Sequence, residues 1–248
     1  MQLRSRFARR VVSLAAVVLL ASLISPASVL GGTHSPPWAD MVCTHYSGSG
    51  GLDTRQSCTN AVTRLNTGGY FGFNDVGVSA YTAMGSGYAQ DDAIWAMFGH
   101  GGPGQITTEI SGGAWTYLNA VSGLGMPCTS PHTCLYDNYS WSQLHKIRLM
   151  IFGGCHTAET RNGYNLPSTA VGKGVDAAVG WTGEIYWPHM DTWTDGYFLA
   201  GITGSTIFNS ALIAEQRVLG TYGNYGGTNN SVFWGAYNSR IQPPAYGS

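Results

Sequence analysis

Ala93-Ile94-Trp95-Ala96-Met97-Phe98 runs into Gly99-His100-Gly101, and Ile147-Arg148-Leu149-Met150-Ile151-Phe152 runs into Gly153-Gly154-Cys155-His156-Thr157. Each of these two stretches is a short, mostly apolar run that ends in glycine and then in a residue capable of chemistry. An apolar run of about six residues bounded by glycine is typical of a buried strand in a parallel sheet. The two stretches therefore predict an α/β fold with two buried strands.

His100 and Cys155 are the chemically capable residues that follow these strands. In open α/β sheets, ligands bind beyond the carboxyl ends of the strands. The two positions are 55 residues apart, which leaves room for a helical crossover between parallel strands. We therefore expect one site in which His100 is the base and Cys155 the nucleophile.

The first 31 residues have the composition of an export leader. Four arginines precede an uncharged apolar stretch, Val11–Ile24, and small residues around Pro26 follow it. This order predicts a signal peptide over residues 1–31, cleaved after Ala27 or near Gly31. An uncleaved membrane anchor is disfavoured because the apolar stretch is short and ends near Pro26. The sequence thus predicts a secreted protein without a membrane attachment after cleavage.

The charge balance argues against polyanionic partners. Of the 12 Lys and Arg residues, four lie in the leader, so eight remain against 13 Asp and Glu. The remaining chain has no cluster of basic residues. Because nucleic acids and anionic membranes are recognised by such clusters, we expect neither as a partner.

The chain has five cysteines, an odd number for an exported protein. Export leads into an oxidising compartment, where cysteines are expected to pair and one thiol must be left over. Local pairing of Cys43 with Cys58 and of Cys128 with Cys134 is the simplest of three ways to connect those four. Cys155, at the end of an apolar run, is then the free thiol. A buried inert thiol is the alternative for it.

Composition divides the chain after the leader into three parts. Residues 32–90 form a Gly- and aromatic-rich segment, expected to be irregular up to about residue 65. Residues 91–240 form the α/β core, and residues 241–248 a loose tail. Within the core, strands are predicted at 93–98, 147–152, 176–181 and 231–234, and helices at 111–121, 166–173, 191–200 and 205–219.

The chemistry of the expected site follows from its side chains. A thiolate attacks carbonyl carbon, and a nearby imidazole takes the thiol proton and returns it to the leaving group. Gly101 lets the backbone approach a substrate closely, so its N–H and that of Cys155 are candidates to hold an oxyanion. For His100 alone, a structural histidine is the competing interpretation.

The order of these motifs resembles the caspase-like (clan CD) cysteine peptidases, nearest to bacterial CHAT, clostripain and gingipain-type members. In this order, a first apolar strand is followed by His-Gly. A second apolar strand, later in the chain, is followed by small residues and Cys. The strand within 174–181 is similar to the one after the Cys helix in those members. Trp187-Pro188-His189-Met190-Asp191 resembles the Trp-Pro-x-x-Asp turn of CHAT-like domains, and Ala211-Leu212-Ile213-Ala214 the helix that follows.

This resemblance implies a three-layer sandwich with a mostly parallel central sheet and helices on both faces. It implies a His100–Cys155 dyad and an oxyanion hole from the Gly101 and Cys155 amides. We expect no cofactor and no metal ligand among the site residues. The substrate would be a peptide or protein, cleaved through an acyl-enzyme. Asp191 stands where arginine-specific members recognise the P1 residue, although a helix N-cap is an equal alternative for it. The caspase Gln-Ala-Cys-x-Gly motif is absent, so specificity for Asp is not expected, and His156 is not expected to replace His100.

Three other functions compete with this interpretation. His100-Gly101-Gly102-Pro103-Gly104 is similar to the oxyanion loop of α/β-hydrolase esterases and aminopeptidases, but Thr157 stands where their nucleophile elbow needs glycine. Cys128, His132 and Cys134 have the spacing of a metal site, although a disulfide is favoured in an oxidising compartment. The third alternative is a caspase-like binding module without catalysis, whose Trp and Tyr residues would line a groove.

Overall fold

The computed structural model describes residues 38–46, 51–110 and 113–241, in which ten strands form two sheets. The main sheet has the order β10-β9-β8-β3-β1-β2. Neighbouring strands are parallel, except that β10 is antiparallel to β9. Its strands are β1 (Trp38–Cys43), β2 (Phe71–Val76), β3 (Ile94–Phe98), β8 (Leu149–Gly153), β9 (Ala177–Trp181) and β10 (Ser231–Gly235).

The smaller sheet lies in the chain between β3 and β8 and has the order β4-β5-β6-β7. Strands β5 and β6 form a hairpin, and the two-residue strands β4 and β7 flank it. The four strands are β4 (Gly101–Gly102), β5 (Gln105–Ile110), β6 (Ala114–Asn119) and β7 (Thr133–Cys134).

Seven α-helices and two 3-10 turns complete the described part of the chain. Three helices have more than ten residues: α1 (Arg55–Thr67), α6 (Trp187–Ile202) and α7 (Ile207–Tyr222). The shorter ones are α2 (Ala80–Ala83), α3 (Leu135–Asn138), α4 (Trp141–Leu144) and α5 (Leu166–Gly172), and the 3-10 turns are Ala89–Asp91 and Thr228–Asn230. None of the described helices combines the length and apolarity needed to cross a membrane.

The main sheet separates two hydrophobic cores. Along β3, Ile94, Ala96 and Phe98 face one core, and Trp95 and Met97 face the other, because side chains alternate along a strand. Helices α1, α6 and α7 cover the first face. Helices α2 to α5 and the hairpin cover the second. Burying a large apolar side chain stabilises the folded state by about 1.5–3 kcal/mol. Because β3 buries side chains on both of its faces, both layers contribute to its stability. The predicted α/β fold, with a mostly parallel sheet between helices, is confirmed.

The core begins earlier in the chain than the sequence predicts. Strands β1 and β2 and helix α1 all lie before residue 91, and β1 pairs with β3 inside the main sheet. The expectation that residues up to about 65 are irregular is therefore wrong for β1 and α1. A buried acid, Asp40, interrupts the apolar run of β1 and hides its pattern. The predicted signal peptide and the end of the predicted tail, residues 242–248, lie outside the described residues.

The helix predicted at 111–121 is also wrong, because residues 114–119 form strand β6. Trp115, Thr116 and Tyr117 are aromatic and β-branched residues, which favour strands, and Gly113, with a φ of 84°, turns the chain back from β5. The helices predicted at 166–173, 191–200 and 205–219 are present as α5, α6 and α7. The last of them continues past residue 219 to Tyr222, and Gly223, in a left-handed conformation, is its C-cap.

Candidate active site

Two adjacent parallel strands carry His100 and Cys155 to the same edge of the main sheet. Phe98, the last residue of β3, pairs in register with Gly153, the last residue of β8. His100 and Cys155 each follow two residues later. The Gly99 N–H still donates a hydrogen bond to the Gly153 carbonyl oxygen at 3.1 Å, so the two chains remain side by side beyond the strands. The structure thus brings together the two residues that the sequence singles out.

Glycines allow the two loops to touch backbone to backbone. A Cβ built on Gly101 would lie 2.7 Å from the Cys155 nitrogen and 2.7 Å from the Gly154 carbonyl carbon. A Cβ on Gly154 would lie 2.9 Å from the Gly99 carbonyl oxygen and 3.1 Å from the Gly101 Cα. These distances are too short for a side chain, so only glycine permits this approach.

Cys155 is the free cysteine of the chain, and its side chain is partly buried. The structure joins Cys43 to Cys58 and Cys128 to Cys134, which is the local pairing that the spacing favours. The Ile185 N–H donates a hydrogen bond to the Cys155 Sγ at 3.3 Å. A backbone donor at this position is suited to a thiolate, because hydrogen bonds to an ionised acceptor are stronger than neutral ones.

The turn that carries Cys155 is held in place by the two residues that follow Cys155. Thr157 Oγ1 lies 2.9 Å from the Phe152 carbonyl oxygen and accepts the Trp181 N–H at 3.2 Å. The His156 N–H donates to the Gly183 carbonyl oxygen at 3.1 Å. The turn after β8 is therefore tied to the segment after β9.

His156 lies in the left-handed region, with a φ of 60°. Its Nδ1 lies 2.6 Å from Glu159 Oε1. The ring of His156 is thus engaged by a carboxylate through Nδ1.

His100 lies in an aromatic environment that the sequence does not reveal. Its ring contacts Tyr46, from the segment after β1, and Trp115, from β6. Burial lowers the pKa of His100 below its usual value of 6.5, because desolvation disfavours the charged imidazolium. The imidazole is therefore neutral at pH 7 and able to accept a proton.

Asp191 lies on α6 and is tied to α1. The Ser57 hydroxyl donates to Asp191 Oδ1 at 2.6 Å, and Asn60 Nδ2 donates to the Asp191 carbonyl oxygen at 2.8 Å. Burial raises the pKa of Asp191. It is the fifth residue of its helix, and the N-cap position belongs to Tyr186, so the N-cap alternative is wrong.

The candidate metal residues of the sequence do not assemble into a metal site. Among the described residues, one group of potential ligands clusters, namely Cys128, Cys134 and Asp137. The two cysteines in it form a disulfide and offer no thiolate. His132, the third residue of the predicted metal motif, instead accepts the Tyr117 N–H on Nδ1 at 3.2 Å.

Comparisons with known proteins establish the fold. No protein-family model matches the sequence, and a search of curated proteins finds no match. Among solved structures, the Arg-specific cysteine proteinase gingipain R matches with a TM-score of 0.58 and 12% identity, over 82% of this chain and 47% of that chain. Caspase-1 from Spodoptera frugiperda matches with a TM-score of 0.53 and 10% identity, over 86% of this chain and 94% of that chain.

This chain spans about half the length of the gingipain R chain that it matches. Both similar structures are clan CD cysteine peptidases, and at such low identity the similarity concerns the fold. The α/β-hydrolase alternative is therefore not supported. The chain has the caspase-like fold that the resemblance of its motifs implies.

Proposed function

We propose that the protein is a cysteine peptidase in which Cys155 is the nucleophile and His100 the general base. The observation that carries this proposal is the register of β3 and β8, which pairs Phe98 with Gly153 and so places both residues at one sheet edge. Parallel strands present their functional residues at that edge. The caspase-like fold supports the choice of peptide bonds as the substrate.

The proposed reaction begins when the Cys155 thiol gives its proton to the neutral His100 imidazole. The thiolate attacks the scissile carbonyl carbon, and the resulting oxyanion accepts hydrogen bonds from the N–H groups of Gly101 and Cys155. The imidazolium then protonates the leaving amine as the carbon–nitrogen bond breaks, which leaves a thioester on Cys155. Water, deprotonated by His100, attacks the thioester and releases the carboxylate product and the thiol.

The contact between Gly101 and the Cys155 backbone supports this assignment of the oxyanion donors. The two residues lie backbone to backbone in adjacent loops, which two amides that share one bound oxygen require. The Ile185 N–H at the Cys155 sulfur supports the nucleophile assignment in the same way. Both features belong to the backbone, so they are already in place before a substrate binds.

Asp191 is proposed as the acid that selects a basic P1 residue. Its hydrogen bond from Ser57 orients the carboxylate, and its raised pKa makes this selection dependent on pH. If the assignment holds, Asp191→Asn lowers cleavage after Arg more than cleavage after small residues. An equal loss for all peptides would assign Asp191 to the joint between α1 and α6 instead.

Export is part of the proposal. A leader over residues 1–31 and two disulfides in the described residues are consistent with an oxidising destination. Expression of the full chain in an export-competent host, followed by N-terminal sequencing, should give a mature protein that begins after Ala27 or near Gly31.

The central experiment measures the rate at which iodoacetamide alkylates the protein at neutral pH, with the modified residue identified by mass spectrometry. We expect Cys155 to react fast in the wild type and His100→Ala to slow this reaction. His156→Ala is the matched control, since it removes the imidazole next to Cys155 in the chain, and its rate should stay within about twofold of the wild type. Equal slow alkylation in all three proteins would favour the non-catalytic binding module.

A further inference from the structure

Three aromatic rings meet at the candidate base. The His100 ring lies nearly parallel to the Trp115 ring, with an angle of 14° and 5.5 Å between centroids. The Tyr46 ring lies 4.8 Å from the His100 ring and 4.9 Å from the Trp115 ring, tilted to both. The three rings thus form a triangle in which each contacts the other two.

Each ring comes from a different segment, and Tyr46 is anchored to the backbone of His100. The Tyr46 hydroxyl lies 2.8 Å from Thr107 Oγ1 and donates to the Thr107 carbonyl oxygen at 3.0 Å. The Thr107 N–H in turn donates to the His100 carbonyl oxygen at 2.8 Å. Tyr46 is 5% exposed and Trp115 46% exposed, so one ring is a buried support and the other an outer cover.

Flat rings suit a base that changes its charge during a reaction. A histidine side chain has several staggered rotamers, and contacts on its ring restrict them. A neutral imidazole stacks on an aromatic face, and a protonated one is attracted to that face by the ring quadrupole. An aromatic neighbour therefore holds the ring in both protonation states.

We propose that Tyr46 and Trp115, together the aromatic clamp, are positioning residues that hold the His100 imidazole in the orientation needed to exchange a proton with Cys155. This inference rests on the proposed function and adds two residues to it. Neither residue touches the reacting atoms, and both act through His100. Trp115 supplies the stacked face, and Tyr46 fixes the triangle through Thr107.

The test distinguishes the effect of a flat ring at position 115 from the effect of side-chain size. Alkylation of Cys155 by iodoacetamide is measured for Trp115→Phe, Trp115→Leu and Trp115→Ala, because this small reagent makes no use of a substrate groove. Because the His100 side chain can then adopt other rotamers, the alkylation rate should fall about three- to tenfold in the Leu and Ala variants. Trp115→Phe keeps a flat face and should stay within about twofold of the wild type.

A second readout reports the stack itself. In the wild type, the ring protons of His100 should show an upfield NMR shift from the ring current of Trp115, and this shift should disappear in Trp115→Leu. The chain contains a matched control, since Trp141 stacks on His145 with the same angle of 14° and 4.4 Å between centroids. Trp141→Ala should move the signals of His145 and leave those of His100 and the alkylation rate unchanged.

The outcomes separate this inference from the proposed function. If His100→Ala does not slow alkylation, the proposed dyad is overturned, and the aromatic clamp as a device for the base with it. If His100→Ala slows alkylation but Trp115→Leu reacts as fast as the wild type, the aromatic clamp alone is overturned. A third outcome combines two results: the Phe, Leu and Ala variants all react equally slowly, and the His100 shift is unchanged in Trp115→Leu. It would also overturn the aromatic clamp, because Trp115 would then be only a structural residue of the hairpin.

Discussion

The substitution Gly101→Ala tests the backbone contact on which the candidate site depends. The new Cβ would clash most closely with the Cys155 carbonyl oxygen, and it would lie 2.7 Å from the Gly154 carbonyl carbon and 2.7 Å from the Cys155 nitrogen. Non-bonded carbon atoms settle at about 3.5 Å or more, so the loop that carries Cys155 must move by at least roughly 0.8 Å relative to His100. All three obstacles are backbone atoms, which cannot rotate away.

A displacement of that size has a predictable effect on proton transfer. A misplacement of about 1 Å costs on the order of 10²-fold in rate, so alkylation of Cys155 should fall to the rate of His100→Ala. The assay is the iodoacetamide reaction at neutral pH, combined with urea unfolding to show that the variant remains folded. Loss of reactivity without loss of cooperative unfolding is the expected result.

Gly102→Ala is the matched control, one residue further along. Its Cβ would meet the flexible end of the Gln105 side chain, at 3.2 Å from Nε2, and no backbone within 3.5 Å. This variant should therefore keep wild-type reactivity. If Gly101→Ala reacts as fast as Gly102→Ala in the folded state, the argument that this contact sets the distance between His100 and Cys155 is refuted.

Three further predictions concern pH and stability. Because burial lowers the pKa of His100, an NMR titration of its ring in Cys155→Ser should give a midpoint below 6.5, and a midpoint at or above 6.5 would contradict the buried environment. Burial raises the pKa of Asp40 to about 9, so the folded state keeps a proton that the unfolded state loses near pH 4, and stability should fall as pH rises from 4 to 9. Asp40→Asn should then raise the free energy of unfolding by up to about 4 kcal/mol at pH 7 and flatten its pH dependence in urea melts. A steeper pH dependence would count against this assignment. Thr157→Val removes a buried hydroxyl that bonds three backbone groups and should cost about 1–3 kcal/mol in the same melts, and a neutral effect would show that the turn does not need it.

The central strands and the candidate dyad are predictable from the sequence because their signals are local. Five consecutive buried residues form β3 and stand directly before Gly99, and four consecutive buried residues of β8 stand directly before Gly153. Nothing distant is needed to recognise such runs. The same holds for α5, whose N-terminal half carries Pro167 and whose N-cap is Asn165.

The parts that the sequence does not predict depend on distant partners. Asp40 breaks the apolar run of β1, and its burial beside Asp75 and Asp92 exists only once the sheet has formed. Trp115 lies in a segment with no apolar periodicity, and its pairing with β5 decides that it is a strand. The contacts of Tyr46 and Trp115 with His100 join three segments that are far apart in the sequence, so no spacing rule reveals them.

The position of β1 between β2 and β3 limits how the chain can be divided and how it can fold. A fragment that starts at residue 91 would leave β3 as an unpaired edge in the middle of its hydrophobic layer, and such edges favour aggregation. In the whole chain, β3 pairs with β1 and β8, which are about 55 residues away on either side. Parallel pairings over such distances raise the contact order and slow folding. Residues from both halves of the chain must therefore be in place before the carboxyl ends of β3 and β8, which carry His100 and Cys155, lie side by side.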